Sequence, residues 1–259
     1  MLINSNTSQY IELMKKRAMG ELPEMGSAKR TLEILLERNL LNSDGNSIID
    51  IGAATCHYLR TFKNNDIKIE NYTGIEEDEL MVKAGKEAWS DLINEGQLSI
   101  NLGLADTFNL KRKFDICICI NAFMYFESPY KSLRNMIKHT KNNLLIRGYF
   151  SETSYRILRS QTSAHNDRVK ISEADSFDKE GNILCYDYWT IYSRDYITNV
   201  VKEIDPNASL EWIENKNDFN SIHKEKELNV EKRGATTILE NMEISYPIIL
   251  PWEYLLISL

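Results

Sequence analysis

The sequence predicts an α/β protein in which helices cover both faces of a doubly wound, mostly parallel sheet. Three observations carry this. Short apolar runs alternate with amphipathic helical stretches from residue 45 to about residue 150. One of these runs, "FDICICIN" at 114–121, is apolar almost throughout, as a strand covered on both sides must be. Strand alternating with helix, repeated, builds a parallel sheet through right-handed crossovers.

Taken in order, residues 8–19 and 28–41 read as helices, separated by "GELPEMG", whose Gly and Pro break both patterns. In the second helix Leu32, Leu35, Leu36 and Leu40 share a stripe, and Ser27 suits the N-cap. "SIIDI" is a buried strand, followed by a helix through about residue 63. "NYTGI" is the second strand and 78–92 the second helix. "LSINL" is the third strand and "KFDICICIN" the fourth. "PYKSLRNMIKHT" is a helix and "NNLLIRGYF" the fifth strand. After Phe150 the rhythm breaks. Residues 151–187 are polar and without a period. "SRDYITNVVKEI" then reads as a helix, "SLEWIE" as a strand, 214–233 as a solvated loop or hairpin, and "SYPIILPWEYLLISL" as strand-like.

Composition sets limits on function. Of 259 residues, 42% are hydrophobic and 27% charged, an ordinary globular balance. Lys and Arg number 31 against 38 Asp and Glu, a net charge of -7. This field argues against nucleic acid as a partner, because phosphate binding needs a basic face. No apolar run reaches the roughly 18 residues of a membrane span, and "MLINSNTSQYIELMKKR" holds no apolar signal core. The expectation is a cytoplasmic protein with no membrane partner. Cys56, Cys117, Cys119 and Cys185 form no C-x-x-C pair and have no zinc-finger spacing to histidine, so core cysteines are expected and no metal site.

Ligands on such sheets bind at the carboxyl ends of the strands. Four successive ends are polar beside small or aromatic residues. They are Asp50-Ile51-Gly52-Ala53-Ala54, Gly74-Ile75-Glu76, Ala105-Asp106-Thr107-Phe108 and Ile120-Asn121-Ala122-Phe123. Plainer readings exist for each alone: Asp50 as a loop cap, Asp106 as a turn residue, and Glu77, Asp78 and Glu79 as a first-turn acidic cluster favoured by the helix dipole.

Together, and in this order, these ends resemble those of the class I S-adenosylmethionine (SAM)-dependent methyltransferases, over about residues 45–150 and more weakly to residue 259. The resemblance implies a seven-stranded Rossmann-like sheet, with residues 1–44 as an N-terminal helical lid, 45–259 as the methyltransferase domain, and 151–190 as an acceptor-binding insertion. It implies SAM as cofactor and S-adenosylhomocysteine as product. The family's acid-x-Gly-x-Gly-x-Gly motif reads here as Asp50-x-Gly52-x-Ala54-x-Cys56. Carried over, Gly52, Ala53 and Ala54 admit the methionine part to the backbone. Glu76 grips both ribose hydroxyls. Asp106 accepts the adenine amino group with Thr107 and Phe108 beside the ring, and Asn121 to Phe123 lie under the methionine part and sulfonium. Two vicinal hydroxyls present two donors, which suit one ionised carboxylate. Cys56 in place of glycine is expected to narrow the space and put a weak donor near the cofactor.

Two other functions compete with this resemblance. Dinucleotide binding needs G-x-G-x-x-G, which is absent, and leaves Asp50 and Asp106 without a role. A non-catalytic, methyltransferase-like binding or scaffold subunit would keep the core but lose the cofactor or acceptor pocket, against which the acids at 50, 76 and 106 speak.

For the acceptor, the segment after strand five is rich in Tyr155, Tyr186, Tyr188, Trp189 and Tyr192, with Arg156, Arg159, Arg168 and Lys170, beside Arg147 on strand five. Aromatic walls suit sugars or rings, and arginines suit carboxylate or phosphate. The expected acceptor is a small polar molecule, an anionic or nucleotide-linked sugar among the candidates, methylated on a hydroxyl, with an amine as the alternative. A hydroxyl needs a base. His165, in "SQTSAHNDRVK", is the candidate, with Asp167 to orient it. His57 is read as standing near the cofactor or as a plain structural residue, and His139 as a surface residue at a helix end. Oligomeric state carries no sequence signal.

Overall fold

The computed structural model describes residues 8–159, 180, 187–215, 236–239, 242–245 and 248–259. The chain opens with two helices, α1 (Ser8–Met19) and α2 (Gly26–Glu37). Then come β1 (Asn46–Ile51), α3 (Tyr58–Asn64), β2 (Ile69–Glu76), α4 (Glu79–Ala88), α5 (Ser90–Asn94), β3 (Leu98–Leu102) and β4 (Phe114–Ile120). A 3-10 turn at Phe123–Tyr125 leads to α6 (Pro129–His139) and β5 (Thr140–Ser151). The rest is β6 (Tyr155–Arg159), β7 (Asp187–Ser193), α7 (Arg194–Ile204), β8 (Ser209–Glu214), β9 (Thr236–Leu239), β10 (Met242–Ser245), β11 (Ile248–Leu250) and β12 (Trp252–Ser258).

The main sheet runs β3-β2-β1-β4-β5-β12-β8. The first five strands are parallel, and β12 lies antiparallel between β5 and β8. The order reverses beside β1, which puts the crevice for a ligand above the ends of β1 and β4. The expected doubly wound, mostly parallel seven-stranded sheet is therefore the one that forms. Successive residues of a strand face opposite sides, and the core divides accordingly. Ile48, Ile116, Ile118 and Ile120 join one apolar cluster with α2 and α3, while Ile49, Ile51, Cys117 and Cys119 join the other with α6 and α7. Both faces are covered, which is why β4 reads as a continuous apolar run.

Local signals explain the helix starts. Ser128 Oγ accepts the Lys131 N–H, with Pro129 in the first turn of α6. Asp78 caps α4 by accepting from Leu80 and Met81, and Ser193 caps α7.

Four expectations need correction. The helix expected at 78–92 breaks at Trp89, whose φ of -120° and ψ of 25° separate α4 from α5. Ser27 is not an N-cap: α2 starts two residues earlier, at Gly26 with Met25 in the cap position, and the buried Ser27 hydroxyl meets Tyr58 Oη at 2.8 Å. His139 is not a surface residue. It is 1% exposed, stacks on Phe108 at 4.6 Å, and its Nε2 accepts the Leu110 N–H. Residues 155–159, expected to be irregular, pair antiparallel with β7, which continues off the end of β5.

Candidate functional site

The loop after β1 is the centre of the site. Gly52, Ala54 and Cys56 all take positive φ, at 71°, 47° and 56°. The alternating left-handed path that favours glycine is kept although two of its three residues carry a Cβ. The N–H groups of Gly52 and Ala53 both donate to the Ile75 carbonyl at 2.9 and 3.1 Å, which lashes the loop to the end of β2. At Gly52 a side chain has no room: an added Cβ would stand 2.3 Å from the Ala122 Cβ, on the segment after β4. This contact brings two of the predicted strand ends together.

Cys56 meets the expectation of a core cysteine rather than that of a weak donor beside the cofactor. It is fully buried and turned away from the loop's outer side. Its Sγ packs over Gly74 of β2, where an added Cβ would stand 2.3 Å from the sulfur. Burial pushes its thiol pKa well up, and the nearby Asp50 and Glu76 add to this. It is a packing residue, inert in the sense that its thiolate is suppressed.

Glu76 ends β2 with 8% exposure. One carboxylate oxygen accepts the Ala54 N–H at 2.7 Å and the other the Asp78 N–H at 3.0 Å. Burial raises its pKa, opposed by these two hydrogen bonds. Two donors occupy two of about four lone-pair positions, so the carboxylate is held in place with one acceptor position per oxygen still to offer. That geometry fits a pair of vicinal hydroxyls. Asp50 lies lower, at 1% exposure, and its Oδ2 accepts the Tyr72 hydroxyl at 2.7 Å. Burial lifts its pKa to about 7, the Tyr72 bond opposing. It can act on a ligand only through the loop it supports.

On the third strand end, Asp106 is half-buried and Thr107 exposed, on a turn where the Thr107 N–H donates to the Leu104 carbonyl. Phe108 is 8% exposed and Phe123 fully buried. Their rings are in the core, against His139 in one case and against Phe126, Phe150 and Tyr192 in the other. What these two positions offer a ligand is backbone.

At the fourth end, Asn121 has a φ of 64°. Its amide nitrogen donates to Ser27 Oγ at 3.3 Å and Tyr58 Oη at 3.2 Å, and its carbonyl oxygen accepts from Arg147 Nη1. The Tyr254 hydroxyl donates to the Ser27 carbonyl at 3.3 Å. This network joins α2, α3, β4, β5 and β12. Arg147 is 3% exposed and lies flat over Trp252, 3.7 Å from the ring centroid. Tyr149 packs on Trp252 at 4.2 Å and on Trp189 at 6.2 Å, and Trp189 Nε1 donates to the Tyr125 hydroxyl at 3.2 Å. Arg156 covers Tyr188 at 4.3 Å and donates to Thr190 Oγ1 at 2.8 Å. Ser27, Tyr58, Trp252 and Tyr254 were not foreseen. The alternation of Trp252 and Tyr254 in the last strand was the available signal for two of them. His165, Asp167, Arg168, Lys170, Cys185, Tyr186 and His223 lie outside the described residues.

Residues 49–146 match the model of a methyltransferase domain. No curated protein matches the chain by sequence. Among solved structures, a SAM-dependent methyltransferase of Clostridium acetobutylicum is similar, with a TM-score of 0.54 at 12% identity, covering 97% of this chain and 98% of that one. A putative methyltransferase of Haloferax volcanii, solved in complex with the activator Trm112, has a TM-score of 0.52 at 17% identity over 79% of this chain and 77% of its own. The magnesium protoporphyrin IX methyltransferase of Synechocystis, with SAM bound, has a TM-score of 0.50 at 9% identity over 98% and 86%. At these identities the likeness is one of fold. Among the described residues no helix is long and apolar enough to cross a membrane. The matched segment runs from the middle of β1 into β5, so the part of the chain that is similar to a methyltransferase domain is the part whose strand ends carry the acids set around the loop after β1.

Proposed function

We propose that the protein transfers the methyl group of SAM to a hydroxyl, with an amine as the alternative, of a small polar acceptor bearing a ring or sugar and an anionic group. The observation that carries this is the aromatic wall beside the end of β4: Trp252, Tyr149 and Trp189, with the buried Arg147 stacked on Trp252 and bonded to Asn121. Aromatic faces suit a flat or sugar-like body, and a guanidinium held by stacking suits a carboxylate or phosphate better than a mobile lysine would.

When bound, SAM supplies a methyl carried by a positively charged sulfur. The chain's own part is to position. Glu76 is preset for the ribose, and Gly52 to Ala54 keep side chains away from the methionine part. The Asn121 network fixes the floor beneath the acceptor. Holding two reactants in line is worth several powers of ten in rate. His165 is the proposed base for the hydroxyl proton. Acidic net charge speaks for a small-molecule acceptor over nucleic acid. The test is incubation of the protein with metabolite extracts and radiolabelled SAM. Label should enter a small anionic product, and an Arg147→Leu variant that folds should lose that transfer while still binding S-adenosylhomocysteine. Label in RNA or protein instead would sink the reading.

A further inference from the structure

The main sheet has two edges, and they are built differently. β8, at one edge, carries Glu211 and Glu214, both exposed, the kind of charge that keeps an open strand from pairing with another chain. β3, at the other edge, carries none. From Gln97 to Leu104 the chain reads "QLSINLGL", with no charge and no proline, and its register with β2 is unbroken. Among the described residues β3 pairs with β2 alone. The Tyr72 N–H donates to the Gln97 carbonyl and the Gly103 N–H to the Glu76 carbonyl, each at 2.9 Å. Alternate residues of a strand turn their backbone groups to the same side, so Gln97, Ser99, Asn101 and Gly103 serve β2. Leu98, Ile100 and Leu102 turn theirs outward, where no strand lies among the described residues.

The same three residues share a face of the sheet. Leu98 and Ile100 are buried in the cluster with Val82 and Trp89, whereas Leu102 is 58% exposed and Leu104, just past it, 49%. Open backbone and open apolar surface therefore coincide at this one strand. The strand is also self-complementary. About Ile100 its residues mirror one another in kind, Ser99 with Asn101 and Leu98 with Leu102. That symmetry acquires a meaning only because β3 is an edge.

We infer that β3 pairs with β3 of a second copy of the chain, antiparallel and about a twofold axis at Ile100. Leu98, Ile100 and Leu102 of one copy then exchange both backbone bonds with Leu102, Ile100 and Leu98 of the other, which satisfies the outward groups of both strands at once. Leu102 leaves water beside Leu98 of the other copy. Ser99 faces Asn101, polar against polar, and no charge is buried. The arrangement also suits the charges outside the strand. Glu77, Asp78, Glu79 and Asp106 follow the carboxyl ends of β2 and β3, and antiparallel pairing sets the two copies' clusters at opposite ends of the joint. Each crevice, above the ends of β1 and β4, remains with its own copy, so the inference does not depend on which acceptor is methylated.

Sedimentation equilibrium on the full chain is expected to give twice the 30.1 kDa of one chain, and Leu102→Lys, which puts a charge on the edge, to give that of one. Cross-linking reads the register. Directly opposite residues that exchange no backbone bonds lie about 4.5 Å apart, within reach of a disulfide. Under mild oxidation a mixture of Ser99→Cys chains with Asn101→Cys chains is therefore expected to form a disulfide-linked dimer well above the wild-type level, and neither variant alone is. A wild type that sediments as one chain overturns the inference. So does a folded Leu102→Lys that still sediments as two. A linked dimer formed equally by either variant alone, or a mixture that forms none, also overturns it, since the contact would then lie elsewhere. If Leu102→Lys does not fold, the wild-type mass and the mixture decide.

Discussion

The Ala54 N–H donates to Glu76 Oε2 at 2.7 Å, so the loop after β1 and the acid that ends β2 fix one another before any ligand arrives. The bond replaces water at both groups, and with the Asp78 N–H on the other oxygen it leaves part of the carboxylate's acceptor capacity unused. Replacing Glu76 with Ala removes the tether of the loop and, on the proposed function, the contacts to the ribose. Loss of a hydrogen bond to a charged group costs about 1.5–3 kcal/mol, so SAM affinity should fall at least about tenfold by calorimetry. Burial raises the Glu76 pKa. Accepting two hydroxyls needs the ionised form, so wild-type affinity should also decline on acidification, beginning above the ordinary carboxylate pKa of 4.5. An affinity in Glu76→Ala equal to wild type would reduce this acid to a helix-start residue.

Gly74 and Cys56 form a size-matched pair across β2 and the loop. A Cβ at 74 would lie 2.3 Å from the Cys56 sulfur and 3.0 Å from the Ala53 Cβ. Overpacking of this kind costs about 1–3 kcal/mol. Gly74→Ala should therefore melt below wild type, and adding Cys56→Ala should recover part of the loss. The recovery should be incomplete because the Ala53 contact remains. Independent, additive losses in the double variant would contradict the pairing.

The buried Asp50 makes stability depend on pH. Its pKa rises from 3.8 to about 7 in the folded chain. Between those values the folded state holds a proton that the unfolded state has released. This group's contribution to stability is therefore complete in acid and is lost as pH climbs from about 4 to about 7. Asp50→Asn keeps an acceptor for the Tyr72 hydroxyl and carries no charge. Its ligand-free melting temperature should exceed that of wild type at about pH 8, with the difference closing toward about pH 5. A constant difference across the range would mean that Asp50 stays charged.

His165 is expected to act only in the chemical step. Once an acceptor is known, His165→Ala should lower turnover by about 10²–10⁴ with SAM affinity unchanged. Turnover at the wild-type rate would leave the proton to another group.

The strands were readable because each is an apolar run ending in a polar residue, and the parallel order follows from the helices between them. The loop acids were readable for the same reason. What the sequence hid was partnership at a distance. Ser27 looks like a cap by its position, yet its hydroxyl is taken by Tyr58, on the next helix but far along the chain. His139 looks exposed because it ends a helix, yet that end is buried under Phe108 and bonded to the Leu110 N–H. Cys56 looks as if it intrudes on the cofactor, and only the missing side chain at Gly74 shows where its sulfur goes. The Arg147 site draws its aromatic floor from β12, about a hundred residues downstream, where no local pattern announces it.

That distance has a consequence for how the chain folds. Among the described residues β5 and β8 share no ladder and are joined through β12, which pairs Tyr149 with Trp252 on one side and Ile213 with Tyr254 on the other. Until β12 arrives, β5 keeps a row of unpaired N–H and C=O groups along the edge that β12 will cover, and β8 has no neighbour in the sheet among the described residues. A contact between segments so far apart closes late, because the entropy of the long loop must be lost before the pairing is gained. The parallel half of the sheet can therefore assemble first and wait with one open, apolar flank, the kind of surface on which copies of a chain pair wrongly. Refolding should show its slowest phase, and its greatest sensitivity to protein concentration, in the step that inserts this one strand.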